Sequence, residues 1–188
     1  MTEQELIEGC KRDNRLCQSE LYKRYFSMMS SVALRYCKSE EDSIQMINMA
    51  FLKVLQNIER YDASYALATW IRTILVRHII DEYRKSNRQL KNVRIEDASF
   101  ETYPLETNLA EYHFTEMQLR YMLNQLPDVT RTVFNLFAME GYKHAEIASV
   151  LGISDGTSKW HVNEARKRLK LMMKQFSEEE REIKRASI

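Results

Sequence analysis

Glycine and proline are scarce in this chain, with only four glycines and two prolines among 188 residues. Tight turns between strands depend on these two residues, so their scarcity argues against a fold built from many strands. Leu, Met, Lys, Arg, Glu and Gln, which favour helix, are abundant. The hydrophobic fraction of 44% is ordinary for a globular protein. We therefore predict an all-α protein made of one ordinary domain or two small ones.

The net charge of +1 conceals a strong segregation of charge along the chain. Lysine and arginine concentrate at 72–94 and again at 159–174, and an acidic stretch at 96–116 separates them. Two basic segments suggest two surfaces that face a polyanion, while the acidic segment, which is poor in apolar residues, suggests a solvated linker. For any single cluster, a solvated helix face is an equally good explanation.

Apolar residues recur at helical spacing in both halves of the chain. Capping residues at Thr2, Asn14 and Ser39 predict the starts of three helices, and a long fourth helix is predicted over 66–87. The helical pattern breaks over 86–107 and resumes near Leu109. We therefore predict two small helical domains joined by a flexible linker, followed by a charged tail that frays. The predicted boundaries are 1–90 for the first domain, 91–110 for the linker, 111–176 for the second domain and 177–188 for the tail.

The segment 142–168 has the pattern of a helix-turn-helix. Gly152 permits the turn, and Ser154 is a suitable N-cap for a basic second helix, whose free N–H groups can bind a DNA phosphate. A two-helix corner in an unrelated bundle is the competing interpretation, which the combination of turn, cap and basic helix disfavours. The residues predicted to face duplex DNA are Ser154, Asp155, Thr157, Lys159, Trp160, His161, Asn163, Arg166 and Lys167.

These residues differ in the chemistry that they offer to DNA. We expect Lys159 and His161 to reach phosphates or base edges, and Asn163 has the donor and acceptor pair that matches adenine. Arg166 and Lys167 are placed for backbone phosphates, which set the register of a protein on DNA without reading its sequence.

The same segment resembles a known family at several fixed positions. The matching residues are Leu126-Pro127, Arg131 to Phe134, Glu140 to Tyr142, Glu146 to Ala148, Leu151 to Ser154, and Gly156 to Lys159. They resemble the promoter-binding C-terminal domain of extracytoplasmic-function sigma factors. In the first half, Phe51 to Val54 resemble the polymerase-binding helix of that family, and Trp70, Asp81 and Arg84-Lys85 resemble its promoter-opening helix.

The resemblance implies that the chain binds core RNA polymerase through the two largest subunits and directs it to promoter DNA. The first domain would contact the clamp of the largest subunit and capture unstacked bases of the minus-ten element. The implied polymerase contacts are Asn48, Met49, Phe51, Leu52 and Lys53. The implied single-strand contacts are Arg72, Arg77, His78, Arg84 and Lys85. The second domain would place its last helix in the major groove of the minus-thirty-five element and turn its other face to the flap of the second-largest subunit.

The chain departs from this family at three places. Asn48 and Met49 stand where the family carries an acidic–Gln–acidic pattern, so the usual polar contacts with the clamp are missing. Arg77 replaces an asparagine common in relatives, and Trp160 is bulkier than the residue usual there. We therefore expect an unusual promoter specificity and hypothesise that another protein helps to recruit this factor or to select its DNA. The resemblance also implies an anti-sigma factor as a partner.

Two interpretations from other classes remain open. A stand-alone helix-turn-helix transcriptional regulator with an N-terminal sensing or dimerisation bundle shares the second half, but it does not explain basic residues beside the apolar stripe of the 66–87 helix. A protein-interaction bundle, such as an anti-sigma partner, does not explain the basic clusters.

The sequence lacks the patterns of an enzyme. Its four histidines are scattered, and none has metal-ligand spacing to a cysteine. We find no paired carboxylates, nucleophile–base pair or glycine-rich phosphate loop, so we predict no catalytic residues, no metal and no cofactor. Three cysteines without C-x-x-C spacing, a polar start and no bilayer-length apolar run predict a cytoplasmic protein.

Overall fold

The computed structural model describes residues 1–88 and 115–186. It divides into two units, Met1–Lys91 and Asn92–Ile188, and every regular element among the described residues is a helix. The prediction of an all-α protein is therefore confirmed. The predicted linker at 91–110 lies outside the described residues.

The helices of the first unit begin where the capping residues predict. Thr2 accepts a hydrogen bond from the backbone of Glu5, whose side chain accepts one from Thr2 in return. Asn14 and Ser39 accept bonds from backbone N–H groups of the next two helices, which satisfies donors that a helix start leaves unpaired. The elements are α1 (Glu3–Lys11), α2 (Arg15–Ala33), α3 (Glu40–Gln56), a short 3-10 helix (Ile58–Arg60) and α4 (Leu67–Arg88).

The core of the first unit forms where α4 packs against α2 and α3. Ile71 and Leu75 on α4 are fully buried, as are Leu21 on α2 and Ile47 on α3. Burial of each such side chain stabilises the fold by about 1.5–3 kcal/mol. Because α4 buries this apolar stripe, the remainder of its surface is available for polar residues.

Within residues 115–186 the second unit has four helices: α5 (Glu116–Asn124), α6 (Asp128–Ala138), α7 (His144–Leu151) and α8 (Asp155–Ala186). Pro127 is the N-cap of α6. Gly141 and Gly152 take left-handed φ values of 74° and 70°, and α6 ends three residues before Gly141.

The last helix is longer than the sequence predicted. The charged tail, expected to fray from 177 onwards, continues α8 as far as Ala186. Ala165, Leu169 and Met173 on α8 pack with Met122 and Leu126 in the core of the unit. One stripe of α8 is therefore buried, which leaves its other faces for solvent or a ligand.

Gly9 on α1 is required by the close approach of α2. A Cβ atom added to Gly9 would lie 2.2 Å from Cys17 Sγ. Alanine favours helix over glycine by about 1 kcal/mol, but overpacking of this contact costs about 1–3 kcal/mol. We predict that Gly9→Ala lowers the free energy of unfolding of the first unit, measured by urea denaturation.

The control for this prediction is Gln4→Ala, an exposed position on the same helix, which we expect to change stability by less than about 0.5 kcal/mol. A Gly9→Ala protein at least as stable as the parent would contradict the packing of α1 on α2.

Candidate nucleic-acid interface

The turn between α7 and α8 has the geometry that the sequence predicted for a helix-turn-helix. Gly152 ends α7 in the left-handed conformation, and its N–H donates to the carbonyl of Ala148. Ser154 Oγ accepts from the N–H of Thr157 at 2.9 Å and so caps α8. Ile147 is fully buried between the helices. The start of α8, with Ser154 exposed, therefore stands at the surface.

The basic residues of α8 lie on its exposed faces. Arg166 and Lys167 are exposed, and Asn163 and Trp160 are partly buried. The Lys159 side chain is 55% exposed and forms an ion pair of 2.7 Å with Asp155, one turn earlier. An exposed pair of this kind contributes about 1 kcal/mol or less, so a DNA phosphate can take the place of Asp155.

His161 lies inside the second unit, contrary to the prediction that it reaches DNA. Its side chain is 4% exposed, and its Nδ1 lies 3.0 Å from Thr130 Oγ1 on α6. Burial lowers the pKa of His161 to about 4, because the charged form loses its hydration. A buried, neutral imidazole holds α8 against α6 and cannot contact a phosphate or a base from this position.

On α4, three of the predicted single-strand contacts share the outer surface. Arg77, Arg84 and Lys85 are exposed, Arg72 is partly buried, and Lys85 pairs with Glu82 at 2.5 Å. His78, the fifth, is 4% exposed, so its predicted contact with DNA does not fit its position. Burial, and then the charge of Lys53, lower the pKa of His78. Arg77, Arg84 and Lys85 outnumber the carboxylates of Asp81 and Glu82 on α4, so its outer face is net cationic without His78.

The predicted polymerase contacts on α3 divide between the surface and the core. Met49 and Leu52 are 47% and 48% exposed. Asn48 accepts a hydrogen bond of 2.7 Å from the Tyr22 hydroxyl. Phe51 is buried, and its ring forms a T-shaped pair with the ring of Tyr22. It therefore packs beneath the exposed surface of α3 and contributes little to that surface.

Two further side chains border the same surface of α3. Lys53, the last predicted polymerase contact, pairs with Asp81 of α4 at 3.6 Å. Ile44, which the sequence analysis did not select, is 42% exposed. It precedes Leu52 by eight residues and therefore lies on the same side of the helix. From Ile44 to Leu52 the outer face of α3 thus presents apolar side chains, and the acidic residues Glu40, Glu41 and Asp42 lie in its first turn.

An apolar groove that the sequence did not predict lies between α5 and α8. It has a volume of about 600 Å³. Met117 and Tyr121 form one wall, and Met172 and Phe176 form the other, with glutamines around them. The Met117 and Tyr121 side chains are 80% and 55% exposed. The spacing of four residues between Met117 and Tyr121 indicates that they share one face of α5. The groove itself forms only because α5 packs against α8, which is distant in sequence.

The described ranges contain neither a candidate metal site nor a candidate membrane span. Among residues 1–88 and 115–186, no cluster of three or more His, Cys, Asp or Glu side chains could hold a metal ion. Within the same ranges, no helix is both long enough and apolar enough to cross a membrane.

Comparison with known proteins places both units in one family. Sigma-70 region 2 matches residues 21–89, and Sigma-70, region 4, matches residues 116–169. The RNA polymerase sigma factor SigV of Bacillus subtilis is 30% identical over 149 residues, which cover 79% of this chain and 84% of that protein. The ECF RNA polymerase sigma factor SigM of Mycobacterium tuberculosis is 26% identical over 167 residues, covering 88% and 81%.

The chain is also similar to a solved structure. The sigma factor RpoE of Bartonella quintana, in complex with the anti-sigma factor NepR, is 19% identical, with 83% of this chain and 96% of that chain covered at a TM-score of 0.49.

The exposed position of Lys159 leads to a prediction for DNA binding. Lys159→Ala should weaken binding of the full chain to a random-sequence duplex and reduce the slope of log K against log salt by about 0.9, the value for one lost phosphate contact. Fluorescence anisotropy over a salt series measures both quantities. Lys174→Ala removes the same charge from an exposed site four turns later on α8 and should leave the slope unchanged. Equal slopes for the parent and Lys159→Ala would remove Lys159 from the interface.

The burial of His161 leads to a prediction for stability. Its pKa falls from 6.5 to about 4 on folding, so between these values the unfolded chain binds a proton that the folded chain does not. The second unit should therefore lose stability as pH falls through this window. His161→Asn, which retains a hydrogen-bonding group for Thr130, should show a shallower decline, with a remainder from His144, whose pKa is also lowered by burial.

Trp160 fluorescence during urea denaturation, in a Trp70→Phe background, reports this unit because Trp160 lies beside His161. The same pH dependence in both proteins would contradict a neutral, buried His161.

Proposed function

This chain belongs to the extracytoplasmic-function sigma factors of the sigma-70 family, and from that premise we propose that its two units recognise two different forms of promoter DNA. It acts in transcription initiation as a sigma factor. The second unit binds the duplex of the minus-thirty-five element, and the first binds separated strands of the minus-ten element. The observation that carries this proposal is a helix-turn-helix whose second helix buries one stripe and exposes Lys159, Arg166 and Lys167.

The second unit binds duplex DNA with the start of α8 in the major groove. Ser154 and the first N–H groups of α8 are at the surface, where a helix start attracts a phosphate. Lys159 exchanges Asp155 for a DNA acceptor, and Arg166 and Lys167 bind backbone phosphates. Trp160 is partly buried and adds apolar surface beside the groove. Most of the affinity comes from the phosphate contacts, and the first turns of α8 provide the base readout.

The first unit binds single-stranded DNA along α4. Arg77, Arg84 and Lys85 form a cationic outer surface. Trp70 is partly buried against Tyr61, with ring centroids 5.3 Å apart, so an aromatic surface lies on the same helix. A cationic track with aromatic side chains is the chemistry that binds unstacked bases. Flipping a base costs a few kcal/mol, and these contacts offset that cost.

Two apolar surfaces bind core RNA polymerase. Met49 and Leu52 on α3 contact the clamp of the largest subunit, with Asn48 oriented by Tyr22. The groove between α5 and α8 receives the flap of the second-largest subunit. Because neither surface is dominated by ion pairs, salt should weaken the contact with polymerase less than the contact with DNA.

Other proteins act on these same surfaces. An anti-sigma factor that covers them would hold the chain away from polymerase. Because Asn48 and Met49 carry no carboxylate, a recruiting protein could supply affinity that ion pairs at these positions would otherwise provide. A pull-down that recovers core polymerase alone would count against such a protein. The chain works in the cytoplasm, and as a subunit of polymerase it carries no catalytic activity of its own.

In vitro transcription tests the proposal directly. Purified core RNA polymerase receives a pool of genomic fragments with and without the chain, and the transcripts are sequenced. We expect discrete start sites that share upstream elements only when the chain is present. A stand-alone regulator would not initiate with core polymerase alone, so the absence of chain-dependent transcripts would contradict the proposal.

A variant of α4 separates strand opening from duplex binding. Arg77→Ala should reduce promoter melting by about tenfold, the effect of losing about 1.4 kcal/mol, which is close to the lower limit of about 1.5 kcal/mol for one hydrogen bond to a charged group. The promoter is one identified by the in vitro transcription experiment. Permanganate reactivity of its unpaired thymines measures melting, and gel shift measures duplex binding, both with the complex of core RNA polymerase and the chain.

Lys23→Ala is the control for this variant, because Lys23 is exposed on α2 of the same unit, and we expect it to change neither quantity. A loss of duplex binding as large as the loss of melting would show that Arg77 does not act on separated strands.

A further inference from the structure

A stack of side chains joins α6 to the two helices of the helix-turn-helix, α7 and α8. The Phe137 ring on α6 and the His144 ring on α7 lie 4.5 Å apart at an interplanar angle of 14°. The guanidinium carbon of Arg166, on α8, lies 5.6 Å from the centre of the Phe137 ring. None of the three sits at the start of α8, where base readout is expected. Phe137 therefore contacts both an imidazole and a cation.

A second contact fixes the imidazole of this stack. His144 Nδ1 lies 3.0 Å from the hydroxyl of Ser158, which is fully buried on α8. Burial lowers the pKa of His144, Asp155 opposes the shift, and Lys159 and Arg166 add to it. The imidazole is therefore neutral at physiological pH and does not repel the guanidinium of Arg166. His144 thus holds the Phe137 ring from one helix while it is anchored to another.

The contact between Arg166 and Phe137 restricts a side chain that would otherwise move freely. Arg166 is exposed, and an exposed arginine loses rotamer freedom when it binds a phosphate. Immobilising such a side chain at an interface costs about 0.5–1.5 kcal/mol. The face of an aromatic ring attracts a guanidinium within about 6 Å of its centre, so part of this cost is met before DNA arrives. The guanidinium keeps its N–H donors, which match a phosphate in a two-bond geometry.

We propose that Phe137, held in place by His144, is a positioning residue that orients Arg166 towards a phosphate of the DNA backbone. The inference rests on the proposed function of α8 as the duplex-binding helix and extends it to α6 and α7. It assigns to the stack a role in affinity for any duplex and not in the choice of sequence, because a phosphate contact carries no sequence information.

A double-mutant cycle tests the proposal with the full chain and a fluorescein-labelled duplex of random sequence at low ionic strength. Phe137→Leu keeps an apolar side chain but removes the aromatic face, and Phe137→Tyr keeps that face. We expect Phe137→Leu to raise the dissociation constant about 2- to 12-fold, which is the immobilisation cost of 0.5–1.5 kcal/mol expressed as a ratio. Phe137→Tyr should bind like the parent.

The background of Arg166→Ala gives the decisive comparison. Without Arg166 there is nothing for the ring to orient, so Phe137→Leu should have no further effect in that background. Additive losses from Arg166→Ala and Phe137→Leu would overturn the proposal, since they would show that the ring acts on stability alone. Equal weakening by Phe137→Leu and Phe137→Tyr would overturn it as well.

A second variant covers the case in which Phe137→Leu unfolds the second unit. His144→Gln retains a hydrogen-bonding group for Ser158 and removes the ring beside Phe137; it should weaken binding only when Arg166 is present. Lys159→Ala distinguishes failure of the Phe137 proposal from failure of the proposed duplex-binding function of α8. If Lys159→Ala weakens binding but the losses from Phe137→Leu and Arg166→Ala are additive, only the proposed role of Phe137 is wrong. If neither lysine nor arginine variants weaken binding, the proposed duplex-binding role of α8 fails with it.

Discussion

Burial of a single stripe along α8 is the constraint on which the proposed duplex-binding surface depends. Val162, Ala165 and Leu169 are buried against the other helices of the second unit. Because a helix is rigid, the burial of these residues determines the direction of every other side chain on it. Lys159 and Arg166 face outward for that reason, and their contacts with Asp155 and Phe137 add to this orientation. The buried pair of His161 and Thr130 adds a polar contact that allows only one rotation of α8 relative to α6.

The same arrangement recurs in the first unit, for which we propose a different form of DNA. The apolar stripe of α4, with Ile71 and Leu75 at its centre, is buried against α2 and α3, so Arg77 and Arg84 remain outside. The two units differ in what accompanies the cations. A capped helix start and a turn give the second unit a shape that enters a groove, whereas the first offers a long basic helix with Trp70 beside its neighbour Tyr61.

Local patterns predicted the helices, caps and turn well, because these depend on residues close in sequence. The N-caps at Thr2 and Ser154 and the left-handed Gly152 are examples. His78 and His161 were wrongly predicted to contact DNA, because the prediction gave more weight to their polar side chains than to their positions in the helical pattern. His78 follows Leu75 by three residues and His161 precedes Ala165 by four, so helical periodicity already places both in buried stripes. Thr130, the partner of His161, lies 31 residues away, and the α5–α8 groove likewise depends on packing that no local pattern reveals.

Under the proposed function, the two cationic surfaces bind promoter DNA tightly only as part of RNA polymerase. The most direct measurement is the dissociation constant for a fluorescent promoter duplex that spans both elements, at physiological salt, with the chain alone and with core polymerase added. We expect binding of about 10⁻⁶ M or weaker for the chain alone and about 10⁻⁸ M or tighter with core polymerase. Tight binding by the chain alone that core polymerase leaves unchanged would contradict the proposed function.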